Sequence, residues 1–180
     1  MIFASGNGSN AENIIKYFEK SKTIKVSLIV CNKPYAGVLD VAKHYSIPTL
    51  IVTKQTIENL AFDWKNVPID LIVLAGFLWQ IPSSLTQSFQ NKIINIHPSL
   101  LPKYGGKGMF GNAVHKAVIE NHEAESGITI HFVNEHYDEG KIIFQSKISL
   151  EKNETVESLC DKIHQLEYQY LPLTIEKILQ

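Results

Sequence analysis

The sequence has little cysteine and almost no net charge. Its two cysteines, Cys31 and Cys160, are too few for a disulfide framework or a four-ligand zinc site. Lysine plus arginine total 17 and aspartate plus glutamate total 18, so the formal net charge is −1 and the basic excess of a nucleic-acid-binding protein is missing. No His-x-x-x-His or His-Glu-x-x-His motif is present. We therefore expect neither a metal site nor a nucleic-acid partner.

Long hydrophobic runs are missing as well. The longest, Leu71 to Ala75, is far shorter than the roughly 20 residues of a membrane-spanning helix. The N-terminus lacks the charged start and apolar run of a signal peptide. At about 150 residues per domain, 180 residues predict one domain. We expect a cytoplasmic protein without a membrane partner, with a single domain over residues 1–180.

Short apolar runs alternate with helical patterns through the first half of the chain. The alternation predicts an α/β fold with a mostly parallel sheet. The expected strands are residues 2–4, 26–30, 49–52, 70–74 and 93–96.

The second half changes character. Ile128 to Val133 alternates with period two and Lys141 to Ile148 follows a turn, which predicts an antiparallel addition to the sheet. A last helix is expected after Thr155, which can cap it, with a kink or interruption at Pro172.

A glycine-rich turn, Gly6 to Ala11, follows the first apolar run. Backbone N–H groups at the start of a helix favour an anion, and the side chains of Ser9 and Asn10 can hydrogen-bond a phosphate or cap the helix. The dinucleotide fingerprint is incomplete, because Cys31 to Lys33 lacks the ribose-binding carboxylate. We favour a phosphate or other anion site, with a plain capped turn as the alternative.

A second candidate site lies at Asn95 and His97. Two residues apart on a strand, they point to the same face, at the end where parallel sheets place their sites. A histidine beside an amide can combine proton transfer with oxyanion stabilisation, although a core histidine with a satisfied amide neighbour is equally compatible. Asp138 is either a carboxylate that raises the pKa of a nearby histidine or a turn residue before a glycine.

The remaining histidines carry weaker signals. His131 alternates with apolar neighbours and is either a second polar member of a cleft or structural. His44, His115 and His122 fall in helical positions that we expect to be exposed and without a role.

Four segments together resemble a known family. Ser5 to Asn10, Leu74 to Leu78, Asn95 to Pro102 and the Asp138 turn occur in the order found in the phosphoribosylglycinamide formyltransferases. The resemblance runs from Phe3 to the final helix. It implies a Rossmann-like formyltransferase fold, and transfer of a formyl group from 10-formyltetrahydrofolate to the amine of glycinamide ribonucleotide in purine biosynthesis. The implied partners are these small molecules, with no metal, for a monomer or homodimer.

The resemblance also assigns roles to residues. Asn95, His97 and Asp138 match the catalytic trio, and Asp138 is expected to keep His97 charged at neutral pH. The substrate phosphate would be bound by Gly8, Ser9 and Asn10, with Glu167 as a further substrate contact. The folate-binding residues would be Leu78, Trp79, Gln80, Ile81 and Asn95, with Lys54 at the folate tail.

The sequence departs from the family pattern in three places. The first strand has only about three residues before the glycine turn. Trp79 stands where the family commonly has a basic residue, which weakens the side-chain assignments in that segment. The segment from Tyr104 to Gly111 is also unlike the family, and its glycines predict a mobile flap.

Two other functions remain open. An N-formyltransferase acting on an amino-sugar nucleotide or an aminoacyl-tRNA would share the catalytic trio, although the tRNA enzyme would need a basic surface. A regulatory nucleotide-binding module would use the glycine turn alone and leave Asn95 and His97 unexplained.

Overall fold

The computed structural model describes residues 1–180 and contains one seven-stranded sheet. The strand order is β3-β2-β1-β4-β5-β6-β7. The first five strands in this order are parallel to one another, and β6 pairs antiparallel with both β5 and β7. This confirms the predicted α/β class. The strands are Ile2–Ala4 (β1), Ile29–Cys31 (β2), Thr49–Ile51 (β3), Ile72–Leu74 (β4), Ile93–His97 (β5), Glu125–Phe132 (β6) and Ile142–Ser149 (β7).

Six helices cover the two faces of the sheet, and none is both long and apolar enough to cross a membrane. The helices are Ser9–Phe18 (α1), Val38–His44 (α2), Lys54–Asp63 (α3), Ser83–Ser88 (α4), Asn112–Glu120 (α5) and Val156–Leu179 (α6).

The pleat of β1 divides the core into two clusters. Ile2 and Ala4 point to the face covered by α1, α2, α5 and α6, whereas Phe3 points to the face covered by α3 and α4. All three side chains are buried, and β1 pairs with β2 on one side and β4 on the other. Its three residues therefore form a central strand, despite their small number.

The expected interruption at Pro172 is wrong, because α6 runs without a break from Val156 to Leu179. Proline has no N–H to donate to the carbonyl four residues earlier, which belongs to Tyr168. The Asn13 side chain of α1 supplies the missing donor, with its Nδ2 2.8 Å from that carbonyl oxygen. The predicted cap is confirmed, since Thr155 and Ser158 form a reciprocal capping box.

The second strand also differs from its prediction. It begins at Ile29 rather than at Val26, and residues 25–28 are irregular. Apolar residues alternate with polar ones there, as in a strand, but β3 offers partners only to residues 29–31. Pairing, rather than local propensity, sets the start of the strand.

Replacing Leu159 with alanine should lower the free energy of unfolding by about 2–5 kcal/mol, because this α6 side chain is 0% exposed in the core. Leu173 lies on the same helix but is 45% exposed, so Leu173→Ala should cost less than about 1 kcal/mol. Urea unfolding followed by circular dichroism measures both. Equal losses would contradict this orientation of α6.

Candidate active site

A cavity of about 610 Å³ opens at the carboxyl ends of β1, β4 and β5. This is where parallel sheets place ligand sites. The flap (residues 104–111), the end of β6, the β6–β7 connection, α5 and α6 contribute further parts of the wall. Of the predicted site residues the cavity wall includes Gly8, Ser9, Asn10, Leu78, Trp79, Gln80, Ile81, Asn95, His97, Asp138 and Glu167. Lys54 is not part of the wall.

At one end of the cavity, the glycine turn leads into α1. Gly8 is the N-cap residue with a φ of 84°, and a β-carbon there would lie 2.7 Å from the Cα of Val38, so the position requires glycine. No side chain caps the helix. The prediction that Ser9 or Asn10 could cap it is therefore wrong, and the first-turn N–H groups are left for an anion.

The Asn10 side chain forms a hydrogen bond to α6 instead. Its Nδ2 donates to Glu167 Oε2 at 2.8 Å, while its Oδ1 is buried without a partner. Burial raises the pKa of Glu167 above its ordinary value, against the opposing effects of the Asn10 hydrogen bond and of His164. A carboxyl group and an amide from opposite ends of the chain thus meet beside the glycine turn.

Asp138 is the centre of the second polar group in the cavity. Its Oδ2 lies 3.6 Å from His97 Nδ1, and its Oδ1 lies 3.6 Å from His131 Nε2. Asn95 Nδ2 lies 3.4 Å from the same Oδ1 and 3.1 Å from His131 Nε2. The structure therefore brings the predicted trio together and adds His131 to it.

His131 fixes the orientation of the Asn95 amide. Its Nδ1 lies 2.8 Å from the carbonyl oxygen of Phe132, which can only accept, so the ring proton is on Nδ1. In the neutral ring Nε2 is then an acceptor for Asn95 Nδ2. Of the two interpretations open for His131, the structure supports the polar member of a cleft.

His97 is buried, with its Nε2 2.7 Å from the carbonyl oxygen of Tyr104, to which it donates. Burial lowers the pKa of His97 below its ordinary value and outweighs the opposing charge of Asp138. The expectation that Asp138 keeps His97 charged at neutral pH is therefore wrong. The desolvation of a nearly inaccessible ring exceeds the attraction of a carboxylate 3.6 Å away.

Asp138 itself remains ionised. Burial alone would raise its pKa, but the interactions with His131 and His97 and the N–H of Gly106 together hold it below the ordinary value. The Gly106 N–H donates to Asp138 Oδ2 at 2.8 Å. Tyr104 and Gly106 thus tie the flap to the two central side chains of the site.

The segment from Leu78 to Ile81 follows β4 and lines another part of the cavity. The Leu78 N–H donates to Ser5 Oγ at 3.0 Å, and the Gln80 side chain donates to the carbonyl of Glu135 at 2.8 Å. Lys54 Nζ lies 4.3 Å from the centre of the Trp79 ring. A positive charge therefore lies against the Trp79 ring, although Lys54 itself does not line the cavity.

The prediction that His115 is exposed is wrong. The residue is 2% exposed on the buried face of α5 and lines the cavity. Burial lowers the pKa of His115 to about 4, with smaller contributions from His164 and His97. Its spacing of three residues from the apolar Val118 is the signal that places it on the inner face.

No three His, Cys, Asp or Glu side chains are grouped to hold a metal ion.

The formyl transferase family model matches residues 1–175, and the chain belongs to this family. It is 37% identical to the phosphoribosylglycinamide formyltransferase of Bacillus subtilis, over 99% of this chain and 93% of the relative. A crystal structure of phosphoribosylglycinamide formyltransferase from Bacillus halodurans superimposes with a TM-score of 0.87 and 34% identity, over 99% and 94% of the two chains.

Relatives from plants are longer. The chain is 40% identical to the chloroplastic phosphoribosylglycinamide formyltransferase of Arabidopsis thaliana, over 90% of this chain and 59% of the relative. It also covers 59% of the chloroplastic protein of the same name from Vigna unguiculata. The chain therefore spans about three fifths of the length of these plant relatives.

Proposed function

We propose that the chain transfers a formyl group from 10-formyltetrahydrofolate to the amine of glycinamide ribonucleotide, a reaction of purine biosynthesis. The observation that carries the proposal is a single cavity with an uncapped, glycine-started helix at one end and the Asn95–His97–Asp138 group in its wall. The names of the Bacillus relatives, which the chain matches over nearly its whole length, support it further.

The glycine turn would bind the substrate phosphate. Backbone N–H groups at the start of α1, with the side chains of Ser9 and Asn10, offer donors to the phosphate oxygens. Gly8 allows the close approach. Glu167, held by Asn10, would contact another part of the ribonucleotide.

The folate would lie against Leu78, Trp79, Gln80, Ile81 and Asn95. The Trp79 and Phe77 rings meet edge to face, with centroids 6.2 Å apart, so the aromatic wall is fixed in orientation. Lys54 over Trp79 would supply the cation for the acidic folate tail, although a basic residue is absent from position 79.

In the reaction the substrate amine attacks the formyl carbon, and a tetrahedral centre with a negative oxygen forms. The N–H of His97 that now donates to Tyr104 would donate to this oxygen. Asn95 would exchange its 3.4 Å contact with Asp138 for a second donation. Loss of one such donor typically costs on the order of 10²–10³ in rate.

The bond from carbon to the folate nitrogen then breaks, and the proton lost by the amine passes through His97 or water to that nitrogen. Because burial favours the neutral form of His97 in the free protein, the ring can take up the proton at Nδ1, the nitrogen that carries none. Asp138 beside Nδ1 stabilises the imidazolium while it exists.

A formyltransferase for an amino-sugar nucleotide would use the same catalytic group. The Bacillus relatives named above favour the glycinamide substrate. We further propose that residues 1–180 act as one formyltransferase domain, in the cytoplasm, as a monomer or homodimer.

The direct test is an assay with purified protein and 10-formyltetrahydrofolate. With glycinamide ribonucleotide as acceptor we expect a formylated product, detected by mass spectrometry. An amino-sugar nucleotide in a parallel reaction should give none. Formylation of the sugar nucleotide alone would overturn the proposal.

Replacing Ser9 and Asn10 together with alanine should raise the KM for glycinamide ribonucleotide at least about tenfold, because hydrogen bonds to a charged phosphate are each worth about 1.5–3 kcal/mol. The KM for the folate should change less than about threefold, since the folate would lie against other residues of the wall, from Leu78 to Ile81. Ser84→Ala, outside the cavity, is the control. A larger rise for the folate would mean that the turn is wrongly assigned.

A further inference from the structure

Four buried side-chain polar atoms lack a hydrogen-bond partner, and two of them belong to the wall of the same cavity. These two are Asn10 Oδ1 and His115 Nδ1, whereas Asn32 Oδ1 and Ser126 Oγ belong to residues outside it. A buried polar group without a partner is destabilising. An apolar side chain would suit the buried position of His115 in α5 better, unless the ring finds a partner when the cavity is filled.

The surroundings of His115 place it beside the substrate end of the cavity. Its helix, α5, packs against α6, which contributes His164 and Glu167 to the wall. His97 belongs to the same wall. His115 therefore shares this cavity with the catalytic histidine and with Glu167, the α6 residue that contacts the glycine turn.

We propose that His115 is a further substrate-binding residue, whose ring hydrogen-bonds the uncharged polar part of the ribonucleotide between its phosphate and its reacting amine. The chemical groups that fit are the hydroxyls of the ribose and the amide of the glycinamide. This inference rests on the proposed function, since it deepens the substrate recognition of the same cavity.

The protonation state of His115 selects this class of group. With a pKa of about 4, the ring is neutral at physiological pH. A neutral imidazole has one donor and one acceptor nitrogen, as a hydroxyl or amide partner requires. It adds no charge for the phosphate, which the start of α1 already attracts.

The test compares His115→Phe with the wild-type protein in steady-state kinetics. Phenylalanine keeps a planar ring but makes no hydrogen bond. We expect the KM for glycinamide ribonucleotide to rise about three- to tenfold, the loss expected for one neutral hydrogen bond, while the KM for 10-formyltetrahydrofolate stays within about twofold. His115→Gln keeps a donor and an acceptor and should recover part of the loss.

Thermal melts with and without the ribonucleotide give a second readout. The free His115→Phe protein should melt no lower than the wild type, and the ribonucleotide should raise its melting temperature less. Ser126→Ala is the matched control, because it also deletes an unpartnered buried atom but outside the cavity. It should leave both KM values unchanged. If phenylalanine prevents folding, His115→Leu makes the same comparison.

An unchanged KM for the ribonucleotide in a folded His115→Phe protein would overturn the inference, as would an equal rise in both KM values. Turnover of glycinamide ribonucleotide by the wild type is measured in the same experiment. Its absence would overturn the proposed function instead, so the two failures are distinguishable.

Discussion

The carboxylate of Asp138 joins side chains of the paired strands β5 and β6 to the flap. It contacts His97 and Asn95 from β5, His131 from β6 and the N–H of Gly106 in the flap. Three segments of the chain thus meet at one side chain. Its backbone φ of 58° is in the left-handed region, which aspartate tolerates better than most residues.

This arrangement sets two electrostatic effects against each other. Burial favours a neutral His97, and the charge of Asp138 opposes it without prevailing. A neutral ring close to a carboxylate suits a reaction in which a proton must arrive and leave again. The site therefore depends on the balance between desolvation and charge more than on either one.

Much of the fold and part of the site could be predicted from the sequence. The alternation of apolar runs with helical patterns predicts the α/β sheet, and the spacing of Asn95 and His97 places both on one face at a strand end. These signals are local. Contacts between distant segments left no such signal: Asn13 hydrogen-bonds the carbonyl of Tyr168, 155 residues away in the chain, and so stabilises the turn of α6 before Pro172. The approach of Asp138 to His97 depends in the same way on tertiary packing.

The central claim is that burial keeps His97 neutral while Asp138 partly offsets that effect. NMR titration of the histidine rings measures it directly, with the His97 signal assigned by its loss in His97→Ala. The midpoint for His97 should lie below its usual value of 6.5 in the wild type. It should fall further in Asp138→Asn, because asparagine also tolerates the left-handed φ but carries no charge. A wild-type midpoint above 6.5, or one that does not respond to Asp138→Asn, would contradict the account.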